Sequence, residues 1–259
     1  MSLRSILITG GSSGIGAALA RAMAARGCEV LIAGRRSAEL DDIAGTTESV
    51  QTRSGDITEQ SHRAVLADHL ARMPAPRALF HGAGFFQIGL LDTLSPTDWQ
   101  RSFDVNVTAR WELSRLCAAS LESGRLLFIG SDAGRNPRHG AAAYSIAQSA
   151  SETLRRALQA EWAQTSIAVS AFKPGLVDTP MVRGFLDAKD DAFPARRDYL
   201  SYVARGELTT PETVAAFAAW LLCDVESERF RTTEWDIRDN VHHAEWLTSP
   251  LYLPTDART

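Results

Sequence analysis

The chain has 259 residues, 45% hydrophobic and 22% charged, with a formal net charge of −4, so it is long enough to bury a large core. It shows no Lys/Arg block of the kind that binds nucleic acid and no apolar stretch long enough to span a bilayer. Cys28, Cys117 and Cys223 form no C-x-x-C pair, which argues against a disulfide framework and a zinc site. Because the first residues also lack a secretory signal, we expect a cytoplasmic protein.

Short apolar segments alternate along the chain with longer, helix-like segments. The predicted strands are, in chain order, 5–9, 29–33, 77–81, 124–130, 166–172 and 234–237. Gly27 is expected to end the first helix, while Ser95–Pro96 and Thr210–Pro211 have the cap and first-turn residues with which helices begin. This alternation predicts repeated βαβ units, and hence an α/β fold with a single doubly wound parallel sheet of the Rossmann type, covered by helices on both faces.

A single dinucleotide-binding and catalytic domain is expected over residues 1–259, because no repeat, low-complexity tract or linker is visible before the C-terminal region. Residues 176–206 show no firm pattern but contain Gly184, Pro194 and many charges, which is typical of a mobile lid. Residues 239–259 form a C-terminal tail that could close the pocket of this subunit or of a neighbour.

The segment ITGGSSGIG (residues 8–16) follows the first predicted strand and opens the first helix. Its glycines permit a tight turn and a close approach of the backbone to a pyrophosphate lying at the helix N-terminus. An ordinary strand-to-helix turn is the alternative, but strand, spacing and helix together indicate a nucleotide site. The expected cofactor-binding residues of this loop are Gly10, Ser12, Ser13, Gly14, Ile15 and Gly16.

The second strand leads into AGRRS (residues 33–37), where a site selective for NAD commonly has an acidic residue that binds the ribose 2′-hydroxyl. Here Arg35 and Arg36 follow instead, and a guanidinium group can bind a 2′-phosphate bidentately. The sequence therefore favours NADP(H) over NAD(H). The alternative is that both arginines are solvated loop residues.

The loop TGGSSGIG and several later segments resemble, in order, those of the short-chain dehydrogenase/reductase family, over most of the chain from residue 5 to residue 238. The resemblance implies that GDIT and HGAG border the adenosine, with His81 in place of the usual asparagine, and that KPGLVDTP contacts the nicotinamide end. The implied cofactor-binding residues are Asp56, Ile57, Gly82, Ala83, Gly84, Pro174, Gly175, Val177 and Thr179.

The resemblance also implies a catalytic set of Asn106 in DVNVTA, Ser131 in FIGSDAG, and Tyr144. In the mechanism of the family, hydride passes between the nicotinamide and a carbonyl carbon while the tyrosine phenol exchanges a proton with the oxygen. The serine holds that oxygen, and the asparagine assists the proton relay. Each residue alone has a structural alternative, as a polar helix residue, a cap or a half-buried aromatic, but their joint spacing is that of the family.

The family pattern Y-x-x-x-K is replaced by YSIAQ at residues 144–148, so that Gln148 stands where the resemblance places a lysine. That lysine binds the nicotinamide ribose and lowers the pKa of the tyrosine. Gln148 lies one helical turn from Tyr144 and can bind ribose hydroxyls, but it cannot supply charge. Bringing a tyrosine pKa from about 10 towards neutrality requires on the order of 4 kcal/mol.

Three interpretations follow from this departure. In the first, Tyr144 acts mainly as a neutral acid in carbonyl reduction, and the pH optimum of alcohol oxidation is displaced upward. In the second, the charge comes from Lys173, whose alternative is a strand end pointing to solvent, while Arg135, Arg138 and His139 could bring cations near an acidic substrate. In the third, the protein is a weak or inactive NADP-binding regulator or scaffold.

We therefore expect an NADP(H)-dependent oxidoreductase that acts on a small-molecule carbonyl or secondary alcohol. Phe85, Phe86 and Phe185 could form an apolar pocket, and no metal, nucleic-acid or membrane partner is expected, because the His242–His243 pair lacks further ligands. Family members usually associate through two helices that correspond to residues 144–163 and 211–222, which predicts a homodimer or homotetramer. The tryptophans of these segments could instead pack inside the subunit.

Overall fold

The computed structural model describes residues 3–252, in which seven strands form one parallel sheet. The strands are β1 (Ser5–Thr9), β2 (Glu29–Gly34), β3 (Val50–Ser54), β4 (Arg77–His81), β5 (Arg125–Ile129), β6 (Ala168–Lys173) and β7 (Trp235–Asp236). They lie in the order β3-β2-β1-β4-β5-β6-β7, with Leu7 of β1 in register between Leu31 and Leu79. The strand order reverses beside β1, which opens a crevice at the carboxyl ends of the strands.

Eleven α-helices connect and cover the strands within residues 3–252. They are α1 (Gly14–Ala25), α2 (Ser37–Gly45), α3 (Gln60–Arg72), α4 (Pro96–Phe103), α5 (Ala109–Cys117), α6 (Ala142–Glu161), α7 (Pro180–Leu186), α8 (Arg196–Ala204), α9 (Pro211–Cys223), α10 (Ser227–Thr232) and α11 (His243–Trp246). None of these helices combines the length and the apolar character needed to cross a membrane.

Alternate residues of each central strand face opposite layers of helices. Ile6 and Ile8 pack with α1 and α9 in one buried cluster, whereas Leu7 packs with α3 and α5 in the other. Both faces of the sheet are therefore buried, as a parallel sheet requires. The doubly wound α/β fold predicted from the sequence is confirmed.

The predicted helix ends at Gly27, Ser95 and Thr210 are confirmed in detail. Gly27 has a φ of +81° directly after α1, a left-handed conformation that only glycine adopts readily. The Ser95 hydroxyl accepts the N–H of Asp98 at 3.0 Å, and the Thr210 hydroxyl accepts that of Thr213 at 3.0 Å. These bonds satisfy backbone donors that the first turn of a helix leaves without partners.

Residues 176–206, predicted as a lid, contain helices α7 and α8. Val182, Phe185 and Phe193 from this segment form a separate apolar cluster with Ala141 and with the half-buried Phe86. The segment therefore packs on the carboxyl edge of the sheet through a small core of its own. Whether it opens and closes stays a prediction.

The predicted tail is partly integrated into the fold. Trp246 of α11 is buried against the main core, and the imidazoles of His242 and His243 bond to the backbone carbonyls of Asp236 and Ile237 at 3.0 and 2.7 Å. The two imidazoles are thus used in holding the chain after β7. Residues 253–259 of the predicted tail lie outside the described residues.

We expect Gly27→Ala to destabilise the protein by about 1 kcal/mol, because alanine disfavours the left-handed conformation at this position. Gly45→Ala is the matched control, since neither glycine has an atom within 4 Å of the added methyl group and only Gly27 has a positive φ. The control variant should be neutral or slightly stabilised. Urea unfolding of both variants measures the difference, and equal stabilities would contradict this account of the turn.

Candidate functional site

A cavity of about 650 Å³ lies at the carboxyl edge of the sheet and runs from the glycine loop to the segment carrying α7 and α8. This volume suits a bound cofactor or substrate. The cavity brings together the predicted site residues from separate parts of the chain. Of the predicted residues, those that line it are Gly10, Ser12, Ser13, Gly14, Ile15, Gly16, Arg35, Arg36, Asp56, Ile57, Gly82, Ala83, Gly84, Ser131, Tyr144, Gln148, Pro174, Gly175, Val177 and Thr179.

The glycine loop has the backbone geometry of a phosphate-binding turn. Gly10 and Gly14 have φ values of +72° and +53°. A Cβ atom at residue 10 would lie 2.7 Å from the backbone of Gly82 and Ala83, and one at residue 16 would collide with the carbonyl of Gly10. At the N-terminus of α1, Ser13 makes no side-chain capping bond. The first turn of the helix therefore presents backbone N–H groups to an anion, and this loop fits the pyrophosphate of a dinucleotide.

Arg35 and Arg36 are exposed and line the cavity directly after β2. The Arg36 guanidinium donates to the Ser12 hydroxyl at 3.1 Å and lies 3.3 Å from the Glu39 carboxylate. These contacts hold Arg36 beside the glycine loop. The Arg35 side chain lines the cavity and forms no ion pair among the described residues.

Asp56 lines the same cavity as Arg35 and Arg36. Its carboxylate accepts the N–H of Thr58 at 2.9 Å and lies 3.3 Å from the Arg101 guanidinium. Burial alone would raise its pKa, but the bonds from Thr58 and the charges of Arg101 and Arg35 outweigh burial and lower it. Asp56 is therefore ionised at neutral pH and able to accept a hydrogen bond.

The loop after β6 approaches the glycine loop from the opposite side. Gly175 has a φ of +69°, and the Thr179 hydroxyl caps α7 by accepting the N–H of Val182 at 3.3 Å. The Thr179 methyl group lies 3.0 Å from the position that a Cβ at residue 14 would occupy. Any side chain at residue 14 would therefore press on this loop.

Tyr144 and Ser131 both line the cavity. The Ser131 hydroxyl is near enough to the phenol to lower its pKa, and it accepts the N–H of Ala133 at 3.2 Å. The Phe86 ring covers the phenol ring at a centroid distance of 4.7 Å. Burial raises the pKa of Tyr144, while the Ser131 hydroxyl and the charge of Arg110 act against this rise. Tyr144 is therefore a neutral phenol at neutral pH.

Asn106 is completely buried in a π-helical turn, Asp104–Thr108, between α4 and α5. Its amide oxygen accepts the N–H of Phe85 at 3.1 Å, and its amide nitrogen donates to the Phe85 carbonyl at 2.9 Å. This side chain thus clamps the segment after β4 that carries Phe85 and Phe86. Its assistance in a proton relay stays a prediction.

Gln148 lies on the cavity side of α6 with 5% of its surface exposed. Within residues 3–252 its amide group makes no hydrogen bond to other protein groups. An amide in this position has two donors and an acceptor available for a ligand.

Arg110 is a cavity residue that the sequence analysis did not single out. The guanidinium donates to the carbonyls of Ile129 and Ala83, both at 3.2 Å, and to the Ser151 hydroxyl at 2.9 Å. Burial lowers its pKa to about 10, which leaves it charged at neutral pH. The sequence feature that could have pointed to Arg110 was its position, four residues after Asn106 and three before the buried Leu113.

The other candidate cations have partners. The Lys173 ammonium group lies 3.8 Å from the Asp132 carboxylate, which Arg238 also binds at 2.7 Å. Arg135 pairs with Glu234 at 2.9 Å on the surface. Arg138 lines the cavity with its guanidinium 5.7 Å from the centre of the Tyr199 ring, whereas His139 is exposed.

Aromatic rings form the cavity wall beyond Tyr144. Phe185 lies between Phe86 and Tyr199 at centroid distances of 4.9 and 4.7 Å. Phe85, predicted to belong to the same pocket, also lines the cavity, and the Arg101 guanidinium lies over its ring at 5.4 Å. Tyr252, near the end of the described chain, also lines the cavity.

His81 replaces the expected asparagine at the end of β4 and is 2% exposed. Its Nε2 atom lies 2.8 Å from the Ser114 hydroxyl, which itself donates to the Arg110 carbonyl, so Nε2 is assigned as the donor. Burial, and then the charge of Arg110, lower the pKa of His81 well below its ordinary value. This is a neutral core histidine.

We expect His81→Asn to make stability less dependent on pH. Because the folded pKa is depressed, the unfolded chain takes up a proton first as the pH falls below about 6.5, which removes up to about 1.4 kcal/mol of stability per pH unit. Urea unfolding of the two proteins between about pH 7.5 and 5.5 should give a shallower slope for the variant. A slope equal to that of the wild type would refute the assignment.

A sequence profile described as short chain dehydrogenase matches residues 4–190. A galactitol 2-dehydrogenase of Rhizobium johnstonii is 30% identical over 225 residues, which cover 83% of this chain and 86% of that protein. A cyclic-di-GMP-binding biofilm dispersal mediator protein of Escherichia coli is 31% identical, covering 84% of this chain and 89% of its own.

Among solved structures, a Beutenbergia cavernae protein assigned as an NAD(P) dependent gluconate 5-dehydrogenase, with NADP bound at low occupancy, gives a TM-score of 0.77. It is 28% identical, and the match covers 91% of this chain and 94% of that one. The order of the strands, the glycine loop at their carboxyl edge and these similarities agree. The chain belongs to the short-chain dehydrogenase/reductase family of oxidoreductases.

Proposed function

We propose that the protein is an NADP(H)-dependent oxidoreductase that transfers hydride between the nicotinamide and a carbonyl or secondary alcohol substrate, with Tyr144 as the proton donor and acceptor. The observation that carries this proposal is that Tyr144 and Ser131 line the same cavity as the glycine loop. A phenol at one end and a phosphate-binding turn at the other are the two groups that such a reaction needs.

The chain's own residues account for binding and proton transfer. A bound nicotinamide dinucleotide supplies or accepts the hydride. The Ser131 hydroxyl orients the substrate oxygen, and the neutral Tyr144 phenol donates its proton to that oxygen during reduction. The free Gln148 amide bonds the nicotinamide ribose, and Asn106 keeps Phe86 in place by clamping the preceding residue. The aromatic wall excludes water from the reacting oxygen.

NADP(H) is proposed over NAD(H) because of the charge at the end of β2. Two arginines border the cavity there, and Gly34 occupies the position at which an acidic side chain would repel a 2′-phosphate. Arg36 is already held by Ser12, which reduces the conformational entropy lost when it binds a phosphate. The bound NADP of the Beutenbergia cavernae protein supports this preference.

The alternative is a nucleotide-binding regulator with little or no turnover. It is suggested by Gln148 and by the name of the Escherichia coli relative, which is described by what it binds. The Ser131–Tyr144 pair favours the enzyme, since a scaffold has no need of a phenol facing the cavity. Binding and turnover measured on the same sample separate these functions.

Tyr144→Phe should bind NADPH within about threefold of the wild type and lose about 10²-fold or more of its reductase activity, since only the proton donor is removed. NADPH fluorescence gives the affinity, and NADPH absorbance gives turnover with cyclohexanone, 4-oxocyclohexanecarboxylate, acetophenone, ethyl acetoacetate and 5-keto-D-gluconate. Tight binding by the wild type without consumption across this panel would favour the regulator. Undiminished activity of the variant would remove Tyr144 from the mechanism.

The double variant Arg35→Ser/Arg36→Ser should weaken NADPH binding by about 10- to 100-fold and leave NADH binding nearly unchanged, since hydrogen bonds to charged groups contribute about 1.5–3 kcal/mol. Arg72→Ser, which removes an exposed arginine from the end of α3, is the control. Isothermal titration calorimetry with both cofactors measures the ratio. Equal loss for NADPH and NADH would indicate a general electrostatic effect without selection for the 2′-phosphate.

The predicted homodimer or homotetramer stays a proposal. Trp220 of α9 packs inside the subunit with 5% of its surface exposed, which agrees with the second of the two alternatives raised for that residue. Ile146 of α6 is 40% exposed on the side of the helix opposite to Tyr144 and Gln148. This leaves α6 as the part of the predicted interface that has an accessible apolar side chain.

A further inference from the structure

We propose that Arg110 of helix α5 provides a positive charge beside the Tyr144 hydroxyl. In the resembled family, a lysine at the position of Gln148 provides this charge. Arg110 would act through Tyr144 and is therefore a positioning residue for proton transfer. The effect of this charge on catalysis rests on the proposed function. Its effect on the Tyr144 phenol can be measured without any turnover.

The Arg110 guanidinium is surrounded by the three segments that build the surroundings of Tyr144. Its Ile129 acceptor lies two residues before Ser131, which lines the cavity with Tyr144. Its Ala83 acceptor belongs to the segment that continues to Phe86, which covers the phenol ring. Its Ser151 acceptor lies on α6 itself, at the i+7 position from Tyr144 and thus on the same helix face. Arg110 and Tyr144 both line the cavity.

The charge of Arg110 is not cancelled by a carboxylate. Within residues 3–252 it forms no ion pair, and two of its three acceptors are backbone carbonyls. A carbonyl oxygen satisfies a donor but leaves the net charge in place. Placing an unpaired guanidinium group in a protein interior costs free energy. The burial of Arg110 at 4% exposure therefore points to a function for the electric field of its charge.

The same arrangement explains why a glutamine is suitable at residue 148. Gln148 and Ser151 are separated by three residues on α6, so their Cβ atoms are about 5–6 Å apart. A lysine at residue 148 would therefore place a second cation close to the guanidinium that Ser151 binds. Like charges repel strongly in a poorly solvated site. A neutral amide keeps the ribose-binding donors and avoids that repulsion.

Apart from Arg138, the remaining groups near Tyr144 are neutral or face a carboxylate. Tyr199 of α8 is a neutral phenol, because burial raises its pKa to about 12. His81 of β4 is neutral, Gln148 and Ser151 of α6 are uncharged, and Lys173 of β6 faces the Asp132 carboxylate. Arg138, before α6, lies over Tyr199. Arg110 is also the cation that opposes the effect of burial on the pKa of Tyr144.

The test is the ionisation of residue 144 in the ligand-free protein. All four tyrosines are replaced biosynthetically by 3,5-difluorotyrosine, whose phenol ionises near neutral pH, where Arg110 is charged. Fluorine NMR follows each phenol separately, and Tyr144→Phe identifies the signal. Arg110→Gln removes the charge but keeps donors, Arg110→Lys keeps the charge, and Arg110→Met is a second charge-free variant, because apolar replacement of a buried charge is commonly tolerated.

Both charge-free variants should raise the pKa of the labelled residue 144 by about one unit or more, and Arg110→Lys by less than about half a unit. Gln148→Lys should restore the wild-type value when it is added to Arg110→Gln. Arg125→Gln is the matched control, since Arg125 is a buried arginine at the amino end of β5 that donates to the carbonyls of Leu221 and Val225. It should leave the titration unchanged.

A pKa of residue 144 that is the same in wild type and both charge-free variants would overturn the proposal. Equal rises in Arg110→Gln and Arg110→Lys would also overturn it, because they would indicate a structural role. In an active enzyme, the midpoint of kcat/KM for alcohol oxidation against pH should move upward with the phenol pKa in Arg110→Gln. A shifted titration in a protein that consumes no NADPH would instead retain Arg110 and refute the proposed function.

Discussion

A parallel sheet buried on both faces is the constraint on which the rest of this molecule depends. The chain must return to the same end of the sheet before each new parallel strand begins, so every connection crosses over outside the sheet. All the strands therefore end at the same edge. Residues from β1, β2, β5 and β6, and from the segment directly after β4, therefore reach one crevice although they are far apart in sequence. The cavity follows from this topology, and the loops only decide which groups face it.

The electrostatics of Tyr144 result from two opposed effects of the same burial. Removal of water from the phenol disfavours the phenolate, and each pKa unit of that effect corresponds to about 1.4 kcal/mol. Removal of water also reduces screening, so a nearby guanidinium acts on the phenol more strongly than it would at the surface. Both groups share the cavity wall. If Arg110 acts on Tyr144 as proposed, a charge on a neighbouring helix takes the place of a charge on the same helix.

The sequence was most informative where one residue determines a backbone conformation or where burial is complete. The bounds of β1 and β4 are as predicted because both strands are central and apolar. No apolar run marks β3, an edge strand in which only Val50 is buried. Helices α7 and α8 gave no clear pattern because their apolar residues face a small local cluster instead of the main core.

The residues of the candidate site also divide into those that the sequence could predict and those that it could not. The glycine loop could be predicted because its spacing has one physical explanation. Ser131, Tyr144 and Gln148 could be predicted because the family pattern places them together. Arg110 could not be predicted in this way. Its three acceptors lie 19, 27 and 41 residues away, and no local pattern reveals a contact that only the closed sheet creates.

The segment after β4 is held from two sides, since the backbone of Gly82 and Ala83 touches Gly10 and the Asn106 amide grips Phe85. This half of the crevice is already ordered before a ligand arrives, so little chain entropy is lost there on association. The half formed by α7 and α8 rests on a small cluster that meets the first half at Phe86. Substitutions in α7 and α8 that keep this ring contact can therefore reshape one half of the crevice while the other stays ordered.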